Sequence, residues 1–135
     1  MRANAARLVV PIAWIVPVLI VVQAAMIGRT FSGAGSLIAL HGSTGNLTFL
    51  LAAATLGLAL LARRSGVALL LTFATVLLLF AQIGSGYLGH RYGMALASST
   101  HITLGVIVTA VSAAAAMRLT GEPAGEVTGE VTARR

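Results

Sequence analysis

The 135-residue chain contains no cysteine, few aromatic residues (5%) and only 9% charged residues. Without cysteine there are no disulfides, thiol nucleophiles or thiolate metal sites. A water-soluble domain would carry about a quarter of its residues as charges. There are three acids, Glu122, Glu126 and Glu130, all close to the C-terminus. What remains is apolar, 58% of the chain, and it is gathered into four long runs.

The runs cover residues 8–27, 37–62, 66–88 and 94–117. Each is near or above the roughly 20 residues needed to cross a hydrocarbon core of about 30 Å. Backbone groups in lipid must be satisfied within the segment, so each run is expected to be a helix. The expected fold is all-α: residues 1–118 form an integral membrane four-helix up-down bundle, with the lipid bilayer as its surroundings. Arg2, Arg7, Arg63, Arg64 and Arg118 fall at the end of the bundle that carries the termini, against Arg29 and Arg91 at the other. That excess predicts cytoplasmic termini and a multi-pass protein of the cytoplasmic (inner) membrane. It also accounts for the net charge of +6 without a nucleic-acid partner. The first run is too long for the apolar core of a secretory leader, and Pro11 and Pro17 suit a membrane helix better. From about Leu119 the composition changes to "LTGEPAGEVTGEVTARR", and residues 119–135 read as a disordered cytoplasmic tail.

The absence of acids from the four runs excludes much chemistry. Proton relays and cation-coupled transport usually need intramembrane carboxylates, hard cations need several oxygen ligands, and a serine nucleophile needs an acid to orient its histidine. The polar side chains read at membrane depth are histidine, glutamine, serine and threonine.

Two stretches stand out among these: "IALHGSTG", ending at Gly45, and "SSTHITLG", ending at Gly105. Each places a histidine four positions before a glycine. On a helix, His41 shares its face with Thr44, Gly45, Thr48, Ala52 and Thr55, and His101 with Leu104, Gly105, Val108, Thr109 and Ser112. These faces are smaller and more polar than the backs of their helices, so they should turn into the bundle. Counted back from Arg63 and Arg118 at 1.5 Å per residue, His41 lies about 33 Å and His101 about 25 Å above the terminus side. The second and fourth helices run in the same direction and are expected to face one another.

Two imidazoles leave zinc or copper short of protein ligands, whereas an axial pair completes the iron of a porphyrin. The pattern therefore fits haem b held between His41 and His101. Gly45 and Gly105 would clear room for the macrocycle, and Arg29 and Arg91 would meet its propionates. His90 is an interfacial residue between Tyr87 and Tyr92, with a reserve role as ligand or propionate contact. The competing reading is plain packing, since small residues four apart favour close helix approach in any membrane bundle.

The chain also reads as two helix pairs, each of the form Gln…Gly, loop, His-x-x-x-Gly. Gln23 and Gly28 precede His41 and Gly45, and Gln82 and Gly86 precede His101 and Gly105. Over about Val22 to Arg118 this pattern resembles one four-helix half of the haem A synthase family. It is more loosely similar to cytochrome b561-like four-helix membrane cytochromes. It is similar, too, to a group of small bacterial four-span membrane proteins whose second and fourth spans open with a histidine. The resemblance implies His41 and His101 as the axial ligands. It departs from haem A synthase in having Gly42 and Ile102, not arginine, after the histidines, and in lacking an acid at that end. The expected function is a small membrane haem-b protein, for electron transfer with a quinone or a redox or membrane protein partner, or for haem handling. Whether it is an enzyme is left open. The alternative is a cofactor-free accessory or structural subunit of a membrane complex.

Overall fold

The computed structural model describes residues 1–31 and 37–122, and these form four helices: α1 (Arg2–Phe31), α2 (Leu37–Leu61), α3 (Gly66–Tyr92) and α4 (Ala95–Gly121). All four are long and apolar enough to cross a membrane. The hydropathy runs locate every helix and miss only its ends. α1, for instance, starts six residues before its apolar run, because a helix continues past the point where its side chains turn polar. Pro11 and Pro17 lie inside α1; they remove two N–H donors and leave the carbonyls of Arg7 and Ala13 without their helical partners.

The helix ends follow from local chemistry. After α2, Arg63 adopts φ 56°, and the N–H groups of Arg64 and Arg63 bond the carbonyls of Ala59 and Leu60. This is the doubly bonded left-handed stop more often built on glycine. Ser65 caps α3, its hydroxyl accepting from the Ala68 N–H, and Gly93 at φ 65° ends that helix.

The helices pack around a ring, α1 on α2, α2 on α3, α3 on α4 and α4 back on α1, so α1 lies diagonal to α3 and α2 to α4. The termini and the α2–α3 connection meet at one end. Buried Arg64 donates there to the carbonyls of Glu122 and Ala6, and the Trp14 indole donates to Thr120 Oγ1 at 3.1 Å. Thus α4 runs on through Leu119, fully buried, to Gly121. The tail expected to be disordered lies, from Pro123 onward, outside the described residues.

The interior is built from small and hydroxylated side chains. Val9, Ala13, Ala59, Ala68, Ala116 and Leu119 form one cluster near the terminus end, and Val16, Ile20, Ala52, Leu79 and Val108 form another farther along. Thr48, Thr55, Thr72, Thr75 and Ser112 are buried as well, each donating its hydroxyl to a carbonyl of its own helix. Large aliphatics such as Leu50, Leu70, Leu96 and Val106 stand outside. A water-soluble bundle would have this reversed, whereas helices that associate in lipid approach through small faces.

The two halves repeat. Buried Val9, Ala13, Val16 and Ile20 of α1 recur 59 positions later as Ala68, Thr72, Thr75 and Leu79 of α3. Buried Thr48, Ala52, Thr55 and Ala59 of α2 recur 60 positions later as Val108, Ser112, Ala115 and Leu119 of α4. The side chains differ but the inward positions coincide, so the repeat is one of shape.

Candidate functional site

His41 and His101 come together at the end of the bundle opposite the termini. Their helices are diagonal neighbours, yet the imidazoles reach across the middle with ring centroids 6.1 Å apart and planes at 71°. Counting from the arginines gave them similar but unequal depths; the repeat sets them level. The arginines were unequal rulers, because Arg63 lies beyond the end of α2 while Arg118 lies within α4.

Each ring is held in the same way. His41 Nδ1 lies 3.2 Å from the carbonyl oxygen of Gln23, and His101 Nδ1 lies 2.7 Å from that of Gln82. A carbonyl only accepts, so Nδ1 is the donor in both rings, and in the neutral imidazole Nε2 then holds the lone pair. Metal-binding histidines commonly have this anchor, since bonding one nitrogen fixes the ring and its tautomer for the other. Each anchor crosses between the two helices of one half, α1 to α2 and α3 to α4.

Both rings border a cavity of about 660 Å³, within the range of small-molecule pockets. Gln23, Gln82, Gly86, Asn46 and Tyr87 share its lining. No family model, curated protein or solved structure matches this chain. The site therefore has to be read from its own atoms.

The donor set discriminates between metals. Among the described residues, no three of His, Cys, Asp or Glu converge, so a bare zinc ion would find two ligands where it wants three or four. A porphyrin brings four nitrogens and needs only an axial pair. If a porphyrin were bound here, His41 and His101 would be the residues to hold its iron.

The glycines play more specific parts than spacing alone conveys. A Cβ on Gly45 would come within 3.1 Å of Gln23 Oε1, and one on Gly105 within 3.1 Å of Gln82 Nε2. The space they leave thus goes first to the glutamine amides. At Gly86 a Cβ would stand 2.7 Å from His101 Nδ1 and 2.8 Å from its Cε1, so the absence of a side chain at Gly86 is what lets the imidazole lie flat against α3. Gly89 does the same for the backbone of α4, with Ser98 N only 3.0 Å from its hypothetical Cβ.

Arg29 and Arg91 are exposed, and neither is part of the cavity lining, whereas His90, also exposed, borders it. Sequence reasoning did not single out Asn46, nor the carbonyls of Gln23 and Gln82 as anchors. The glutamine spacing, 18 residues before one histidine and 19 before the other, was the available signal. A backbone carbonyl's role is not written in a side chain.

Proposed function

We propose that this chain is an integral membrane protein of the cytoplasmic membrane that holds haem b between His41 and His101. The observation that carries this reading is the matched pair of anchored imidazoles, each with Nδ1 bonded to a glutamine carbonyl and Nε2 left with a lone pair. Exposed aliphatics around a small-residue core support the bilayer as surroundings, and the arginine excess at the terminus end supports cytoplasmic termini.

In this role the Gln23 and Gln82 carbonyls orient the imidazoles and raise their basicity. Gly86 leaves room for the His101 ring, and the mostly apolar lining excludes water. When bound, haem iron supplies one-electron exchange, and the partner would be a lipid-soluble quinone or a redox protein. His90 and Tyr87 at the cavity's edge are better placed than Arg29 or Arg91 to meet the polar edge of a macrocycle.

The test is a reduced-minus-oxidised spectrum of protein purified from haem-supplied cells, beside His41→Ala and His101→Ala. A low-spin haem b spectrum in the wild type that is lost in both variants is the expected result. Folded but colourless wild-type protein would overturn the reading and leave the cofactor-free packing subunit in its place.

A further inference from the structure

The two halves superimpose in burial pattern but not in polarity, and the differences gather on one side. The α2–α3 seam carries Gly42, Asn46 and Tyr87; the corresponding positions of the α4–α1 seam are Ile102, Val106 and Gly28. The glutamines differ in the same sense. Gln23 Nε2 donates to Thr48 Oγ1 at 2.9 Å, but the position matching Thr48 is Val108, which has no hydroxyl. Gln82 Oε1, an acceptor, is buried without a hydrogen-bond partner.

Asn46 is the second unsatisfied amide. It is exposed on α2 and its side chain bonds no described residue, although it lies nine residues into the helix, about 14 Å from its start. An unpaired amide in hydrocarbon costs several kcal/mol. Asn46 and Gln82 border the same cavity, and the open face beside Asn46 is Gly42, where a Cβ would meet nothing within 4 Å. Leu79 and Ile83 of α3 supply apolar wall.

We propose that the α2–α3 seam binds the ring of a lipid-soluble quinone. A flat ring with oxygens on opposite edges can reach both amides: quinone carbonyls accept from their N–H groups, and quinol hydroxyls can also donate to their carbonyl oxygens. Among the described residues no arginine borders the cavity, which argues against a phosphate headgroup. This inference rests on the reading of the bundle as a membrane protein and on no property of iron.

The experiment uses the full chain in phosphatidylcholine nanodiscs with a short-chain azido-benzoquinone as photoprobe. Labelled residues are mapped by mass spectrometry, with and without excess unlabelled decyl-benzoquinone. Competable labelling should fall on Ile38–Asn46 and Leu79–Tyr87. It should weaken about tenfold in Asn46→Val, which copies Val106, and in Gln82→Leu, as expected for one lost hydrogen bond to a buried group. Asn46→Val removes an unpaired amide and should fold at least as well as wild type, while Val106→Asn should leave labelling of the α2–α3 seam unchanged. Labelling that is spread over all four helices, resists competition, or survives both seam variants would overturn the site. The same samples are read for haem by difference spectrum. Colourless protein with competable labelling would sink the haem reading alone, and a haem spectrum without such labelling would sink the quinone site alone.

Discussion

Replacing Gly86 with alanine tests the histidine geometry at a residue with no side chain of its own. The new Cβ would lie 2.7 Å from His101 Nδ1, so the ring must retreat by roughly 0.7 Å to reach ordinary contact. Ligand positions at a metal site are held to about 0.2 Å, and the 2.7 Å bond to the Gln82 carbonyl cannot survive such a shift unaltered. Three terms set the energy. Overpacking costs about 1–3 kcal/mol, a weakened interhelical hydrogen bond in lipid about 0.6, and the removal of a helical glycine returns about 0.5–1. The net is a destabilisation of about 1–3 kcal/mol. Gly84→Ala, two residues away with nothing within 4 Å of its Cβ, should instead be neutral or slightly stabilising. Reversible unfolding in mixed micelles measures the difference. Histidine side-chain 15N NMR should show the His101 Nδ1 bond perturbed and that of His41 intact. Equal stability of the two alanine variants, with an unchanged His101 signal, would refute the argument.

Two further outcomes follow from single contacts. Thr48→Val copies Val108 and strips Gln23 of its amide's acceptor; unfolding should show a loss of about 0.6–1.5 kcal/mol, and an unchanged stability would mean that the bond contributes nothing. At the opposite end, burial works to raise the Glu122 carboxyl, but the Ser65 hydroxyl and N–H, with Arg118 and Arg64, carry it below its ordinary value of 4.5. A carboxyl lowered by folding contributes stability that is complete above the ordinary value and disappears as pH falls through the lowered one. Acid titration of unfolding should therefore show a loss of stability below about pH 4.5 that is absent in Glu122→Gln, and identical profiles would contradict the assignment.

Much of the helical framework was legible because hydropathy and helix length act locally. Four uninterrupted apolar runs leave a chain few alternatives to four long helices, whatever their neighbours. The inward positions of His41 and His101 were legible too, from the small faces they share with Thr48, Thr55 and Ser112. The arginine counts already left the two histidines at similar depth on parallel helices; the difference between the counts arises because Arg118 lies inside its helix and Arg63 beyond the end of its own.

The sequence by itself determined the number of the helices and the segments that form them, the small and more polar faces of α2 and α4, and the pairing of Gln…Gly with His-x-x-x-Gly. Those are properties of residue type and of a 3.6-residue period. Tertiary structure decided that α2 and α4 sit diagonally while their histidines still meet. It decided that Gly86 rather than Gly105 makes room for His101, and that the Gln23 amide finds Thr48 while Gln82 Oε1 finds no partner. Each depends on which atoms of two distant segments share a few ångströms, and no periodicity within one helix encodes that.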